Sequence, residues 1–171
     1  TLDVDKTTVG GNGTFNFVGS GTNVPTAPSI TTVGGTGTIP DITFGAGQFG
    51  TKEITETVPS GWTLTDISCT GDTTGLVIGH YDNSAPPVFV NGATTGFDAG
   101  DTTFRIGIDA GENVNCVFTN TADATLDVDK TTVGGNGTFN FVGSGTNVPT
   151  APSITTVGGT GTIPDITFGA G

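Results

Sequence analysis

The stretch Thr1-Leu2-Asp3-Val4-Asp5-Lys6, followed by Gly13-Thr14-Phe15-Asn16-Phe17-Val18, decides how this chain is read. Apolar and polar residues alternate in both segments, the two-residue period of a half-buried β-strand. Gly10-Gly11-Asn12-Gly13 between them is turn chemistry. The same letters then return. Residues 1–47 recur without a change at 125–171, so residue 1 reappears as residue 125 and the period is 124. A period of that length is a whole small domain, not a solenoid turn. Drift scatters substitutions between old duplicates, so identity points to recent duplication or to continuing homogenisation in an array. The second copy lacks everything that follows Gly47 in the first. The chain therefore reads as a window onto a longer repetitive polymer, the alternative being one duplicated segment.

Working outward, alternating or β-branched runs bounded by Gly, Pro, Asn and Asp predict further strands at 37–44, 49–58, 62–70, 76–78, 88–90, 102–108 and 113–120. Residues 19–28 and 80–87 read as loops. Many short strands with turn signals between them predict an all-β, Ig-like or prealbumin-like β-sandwich repeated in tandem. Near Thr65-Asp66 the parity slips: Trp62 and Leu64 share one face, Ile67 and Cys69 the other, which calls for a bulge or a sheet-switching bend. The expected organisation is a complete sandwich over 1–121, a short linker at 122–124 and a partial second repeat at 125–171. A linker with no Gly/Ser tract and no Pro run predicts closely spaced beads in a rigid array. The partial repeat holds opening strands only, and it needs further strands, from more chain or from another subunit, to close a core.

Composition narrows the function classes. Sixteen acidic residues stand against four basic ones, Lys6, Lys52, Arg105 and Lys130, for a net charge of -12. Phosphate backbones need Lys and Arg to replace their counterions, so nucleic acid is not an expected partner. Anionic membrane surfaces are disfavoured for the same reason, and no apolar run approaches a membrane span. Glycine is abundant at 30 residues, methionine is absent, and only 12% of residues are charged, which disfavours long helices. The chain opens on Thr1 with no signal peptide, as expected of a processed or internal segment.

Cys69 and Cys116 fall within one period. Two cysteines in a Thr- and Gly-rich acidic chain predict a disulfide and an oxidising, extracellular or cell-surface location. The bond should hold the Cα atoms about 5–6 Å apart and contribute ~4 kcal/mol in the chain-entropy account. Two buried free thiols are the alternative.

The parity of three strands exposes an odd trio. Lys6 shares a face with Leu2 and Val4, Glu56 with Ile54 and Val58, and Asn120 with Val114, Cys116 and Phe118. All three polar side chains should point inward. Burial takes charge from a lysine and gives a proton to a glutamate. A neutral amine beside a carboxamide is a nucleophile beside an acyl group, and a protonated Glu can shuttle protons as ammonia leaves. The product is a Lys–Asn isopeptide bond. A plain Lys6–Glu56 ion pair, with Asn120 capping a turn, is the other reading. Lys130, the copy of Lys6, is a rival partner for Asn120 if strands are exchanged between neighbouring domains.

At these residues the chain resembles a known family. Lys6 in the opening strand, Glu56-Thr57-Val58-Pro59-Ser60-Gly61-Trp62, and a last strand ending Val117-Phe118-Thr119-Asn120 are similar to CnaB-type (SpaA-like) prealbumin-fold domains. The resemblance covers the whole 124-residue unit. It implies a stalk or fibre module of bacterial surface proteins, pilins and adhesins, with Lys6 as nucleophile, Asn120 as acyl donor and Glu56 as proton shuttle. The chain departs from the family pattern in three places. The segment after Glu56 is one residue short, Trp62 stands where a Tyr is usual, and the Cys69/Cys116 pair is not typical of crosslinked members.

Other signals are weaker. Asn12-Gly13-Thr14 and Asn136-Gly137-Thr138 match the N-glycosylation sequon, and Asn-Gly is equally a turn signal. His80-Tyr81-Asp82 holds the single His, with no partners in sequence for metal or catalysis. Asp98-Ala99-Gly100-Asp101 and Asp109-Ala110-Gly111-Glu112 are acidic turns without EF-hand spacing. Gly10-Gly11-Asn12-Gly13 leads into a strand, so it cannot place a phosphate at a helix N-terminus. No zinc spacing and no nucleophile elbow occur. The expectation is thus a structural fibre or stalk protein with copies of itself as partners, no cofactor, no metal and no enzymatic activity beyond self-crosslinking. An adhesin repeat that binds a surface or extracellular ligand is the alternative.

Overall fold

The computed structural model describes residues 1–92 and 96–169; the last two residues of the repeat, 170 and 171, lie outside them. Every helix or strand among the described residues is a strand. In order these are β1 Leu2–Val9, β2 Thr14–Ser20, β3 Ser29–Thr31, β4 Thr36–Ile42, β5 Gly50–Thr57, β6 Trp62–Gly71, β7 Val77–Tyr81, β8 Phe89–Asn91, β9 Thr103–Ile108, β10 Val114–Ala122, β11 Ala124–Thr131, β12 Thr138–Asn140, β13 Ser153–Thr155 and β14 Thr160–Phe168. The chain divides into two compact units, the first spanning Thr1–Ala122 and the second beginning at Asp123.

The first unit is a two-sheet sandwich. One sheet has the order β4-β1-β10-β6, the other β3-β2-β5-β9-β7-β8. All neighbours run antiparallel except β1 and β10, the first and last strands of the unit, which pair in parallel from Leu2↔Val114 to Val9↔Thr121. A parallel pair needs a long crossover, and here the remaining eight strands supply it.

Alternation decides which side chains fill the space between the sheets. β1 turns Leu2, Val4 and Lys6 inward, and β10 turns Val114, Cys116, Phe118 and Asn120 inward. The facing sheet contributes Phe15 and Phe17 from β2, Lys52, Ile54 and Glu56 from β5, and Phe104, Ile106 and Ile108 from β9. Phe118 crosses the gap to meet Phe17 edge-on at 5.2 Å between centroids, and it also lies 5.7 Å from Phe104. Each such ring removes a large apolar area from water and ties the two sheets together.

Several boundaries depart from the sequence reading, for physical reasons. The three-residue strand β3 is too short to show a period; it forms because Ile30 packs inward opposite Phe15 of β2. Residues 80 and 81, read as loop, belong to β7, which pairs with both β8 and β9. Gly19 and Ser20, also read as loop, extend β2 along β5. The parity slip in β6 is a bulge: Thr119 pairs with Asp66 and Asn120 with Leu64, which leaves Thr65 as the extra residue. The bulge corrects the face assignment, because both Leu64 and Ile67 now reach the core.

The second unit, described by itself, has two two-stranded sheets, β11 with β14 and β12 with β13. Its registers copy those of β1 with β4 and β2 with β3. Leu126↔Ile166 repeats Leu2↔Ile42, and Phe139↔Ile154 repeats Phe15↔Ile30.

Candidate functional site

Three strands from both sheets deliver three polar side chains to one buried point. β1 and β10 are adjacent, with Lys6 opposite Phe118 and Thr8 opposite Asn120. The long lysine side chain therefore reaches one pair along to Asn120. β5 lies in the other sheet and points Glu56 across the gap at both. Lys6, Glu56 and Asn120 are all buried. Lys6 Nζ donates to Glu56 Oε2 at 3.0 Å, to the Phe118 carbonyl at 3.2 Å and to Asn120 Oδ1. Asn120 Nδ2 donates to Glu56 Oε1 at 2.6 Å. The glutamate thus bridges the amine and the carboxamide, one oxygen to each. The Phe15 ring closes the floor, its centroid 4.3 Å from Lys6 Nζ, and Trp62 packs edge-on against Phe15 at 5.2 Å.

Electrostatics follow from burial. Desolvation pulls the Lys6 ammonium down to about 8, with Glu56 opposing the shift. Desolvation pushes Glu56 above the usual carboxylate range, with Lys6 and the Asn120 hydrogen bond opposing. The two shifts favour the same event, transfer of a proton from Lys6 to Glu56 to give a neutral amine and a neutral acid. Such a cluster can carry out one reaction on itself. The free amine would attack Asn120 Cγ, with Glu56 giving its proton to Nδ2 and taking one from the attacking nitrogen, so that the Cγ–Nδ2 bond breaks and ammonia leaves.

Cys69 and Cys116 are directly opposed on β6 and β10 and are bonded. Their Cα atoms lie 4.1 Å apart, less than the spacing expected from sequence. The pair sits directly across an antiparallel ladder, where the closer of the two alternating spacings brings Cα atoms to about 4.5 Å. Both the disulfide and Asn120 are therefore on β10, with Cys116 and Asn120 on the same inward row.

The remaining candidates fall elsewhere. Lys130 lies on β11 of the second unit. Its Nζ donates to the Thr131 carbonyl at 2.9 Å and stands 4.7 Å from the Phe139 ring. Asn12 and Asn136 are exposed, and each uses its carboxamide oxygen to fasten a turn, from Gly35 N at 2.9 Å and Gly159 N at 3.0 Å. The acidic turns are built alike: Asp98 N donates to Asp101 Oδ2 at 2.9 Å, and Asp109 N to Glu112 Oε2 at 2.7 Å. His80 Nδ1 meets the buried Asp101 Oδ1 at 3.2 Å. Among the described residues no group of three or more His, Cys, Asp or Glu side chains is placed to hold a metal ion.

One buried cation escaped the sequence reading. Lys52 shares the inward row of β5 with Ile54 and Glu56, a parity visible in the letters. Burial lowers its ammonium, which is held by the Gln48 carbonyl at 2.7 Å and by the Phe44 ring at 4.8 Å.

Two facing sheets with the first and last strands paired in parallel define a prealbumin-like sandwich. The chain belongs to the SpaA prealbumin-like fold domain family, whose model matches residues 2–122. No curated protein and no solved structure matches the chain.

Proposed function

We propose that the first unit is a load-bearing bead of an extracellular or cell-surface fibre or stalk, and that Lys6 and Asn120 join through an isopeptide bond formed with the help of Glu56. The observation that carries this reading is the buried Lys6–Glu56–Asn120 cluster. Three polar side chains in an apolar interior cost several kcal/mol unless they pair, and this set pairs in the arrangement that amide exchange requires. A bond between β1 and β10 would tie the first strand to the last. Pulling on the two ends of the unit would then load a covalent link between adjacent strands instead of the hydrogen bonds of the sheet. The Cys69–Cys116 bond ties β10 to β6 and so continues the same reinforcement across the sheet. It also suits an oxidising location. The repeat of residues 1–47 at 125–171 supports partners that are further copies of the same bead. The chemistry is a single event on the protein's own chain, with no turnover and no external substrate.

Intact mass spectrometry of the non-reduced protein tests the reading. The expected mass is lower than that of the uncrosslinked chain by one ammonia for the complete unit, and Glu56→Ala restores it. A mass without that loss in fully folded protein would leave the disulfide as the covalent link and remove the isopeptide from the proposal.

A further inference from the structure

The outer face of the β4-β1-β10-β6 sheet holds a pair of carboxyl groups that the buried cluster does not use. β1 and β4 pair with a shift in register: Leu2 faces Ile42, and Val4 faces Ile39. Asp3 alone therefore stands opposite two residues, Pro40 and Asp41, the two-against-one count of a β-bulge. A bulge of this composition brings Asp3 a second carboxyl group and no backbone donor from Pro40, because proline has no N–H. Asp3 and Asp41 lie within hydrogen-bonding reach of each other. Asp3 Oδ1 is shut off from water and has no hydrogen-bond partner among the described residues. Two ionised carboxylates only accept, so their contact is a hydrogen bond only when one of them carries a proton. The other neighbours do not relieve the pair. On β10, Asn115 lies opposite Asp3 but gives its Nδ2 to Asp5 Oδ2 at 2.8 Å. β10 has no charged residue, and β4 has none besides Asp41. Along its own strand, Asp3 is crowded by Asp5, and only the amino group of Thr1 favours a negative charge there. The arrangement recurs in the second unit, where Asp127 faces Pro164 and Asp165 and the two carboxyl groups are again in hydrogen-bonding reach.

We propose that Asp3 and Asp41 hold one proton between them, and that this pair makes the first unit more stable in mild acid than at neutral pH. With the proton in place, the contact between the carboxyl groups is a hydrogen bond. Without it, an ionised oxygen is left buried and unpartnered beside a like charge, which is costly. Burial, then the charges of Asp41 and Asp5, push the Asp3 carboxyl above its unperturbed value of 3.8. An aspartate raised on folding binds more protons folded than unfolded. Its contribution to stability is therefore fully present below 3.8 and is lost as pH rises through the folded value. The pair lies on the face of β1 opposite Lys6 and does not depend on an isopeptide bond.

Asp3→Asn in the full chain tests the pairing, because a carboxamide imitates the protonated acid: it is neutral, and its Nδ2 can donate to Asp41. The single tryptophan, Trp62, belongs to the first unit, so its fluorescence follows the unfolding of that unit. Denaturant midpoints are measured for both proteins from below 3.8 up to neutral pH. The two should be equally stable at the acid end. As pH rises, the wild type should lose stability that the variant keeps, so the variant has the higher midpoint at neutral pH. Burial also pushes Glu56 up. That group adds a slope of the same sign, but equally to both proteins, so the difference between them belongs to Asp3. Carboxyl 13C shifts of the wild type give a second reading without a substitution, in which the Asp3 carboxyl should titrate above 3.8. A variant less stable than the wild type at neutral pH, parallel pH profiles, or an Asp3 carboxyl that titrates at or below 3.8 would overturn the proposal.

Discussion

Residues 1–47 and 125–171 have the same sequence and do not have the same structure. Both form the same strand pairs with the same registers. Both keep the Thr pair across the short sheet, Thr14 with Thr31 at 2.8 Å and Thr138 with Thr155 at 2.9 Å. Both hold a lysine over a phenylalanine ring. They part where β5 and β10 supply contacts. Lys6 has Glu56 and Asn120, and Lys130 has a neighbouring carbonyl. Even a shared carboxylate pair differs in cause: Asp3 is raised chiefly by burial with Asp41 next, whereas Asp127 is raised chiefly by Asp165. Local sequence therefore sets the register of these strand pairs, and the distant half of the domain converts them into a core with a buried polar cluster.

That comparison can be broken at several points. The largest effect should come from the proposed crosslink. Lys6 and Asn120 are 114 residues apart, and closing a loop of that size contributes about 5 kcal/mol in the chain-entropy account. Glu56→Gln should remove it, seen as a lower midpoint in denaturant together with regained ammonia mass. The matching change Lys130→Met should leave the transition of the first unit where it was. An unchanged midpoint in Glu56→Gln would mean that the cluster adds no constraint.

Reducing the Cys69–Cys116 bond opens a loop with a sequence separation of 47 and should cost about 4 kcal/mol. Calorimetry with and without reductant measures this. The effect belongs to the first unit alone, since the second has no cysteine.

The acidity of Lys6 gives the next test. In Glu56→Gln the Lys6 amine stays free and buried, so its folded pKa lies at or below about 8 against 10.5 for the unperturbed group. A lysine depressed on folding binds fewer protons folded than unfolded, so stability rises with pH across the window from about 8 to 10.5. The rise should amount to roughly 3 kcal/mol. A wild type that carries the proposed crosslink should show none of it, because an amide nitrogen does not titrate. Unfolding free energies at several pH values across the window provide the check, and a pH-dependent wild type would contradict the bond.

The smallest expected difference is in packing. Val4 is buried and its copy Val128 is half-buried. Val4→Ala should destabilise the first unit by about 2 kcal/mol through lost burial and a residual cavity, while Val128→Ala should change little. Equal effects would show that the second unit is covered in solution.

The alternation of Leu2-Asp3-Val4-Asp5-Lys6 and of Val114-Asn115-Cys116-Val117-Phe118-Thr119-Asn120 determined which side chains face inward, because side-chain direction in a strand depends only on parity. The same property marked Lys6, Glu56 and Asn120 as inward polar groups, and the slip at Thr65 as a break in the ladder. The repeat itself, and the shortage of basic residues, are also facts of the letters. What parity does not carry is the identity of the neighbour. That β1 lies parallel to β10, that β5 faces them from the other sheet, and that Thr65 bulges so that Leu64 and Ile67 both reach the core were settled by packing between segments far apart in the chain. Ser29–Thr31 is too short to show a period and exists as a strand through its pairing with β2. The two copies of residues 1–47 give the physical reason directly. Hydrogen-bond register within a hairpin is local and is fixed by the residues that form it. Burial, strand extension and the partners of a lysine depend on what lies across the gap, which an identical sequence does not contain.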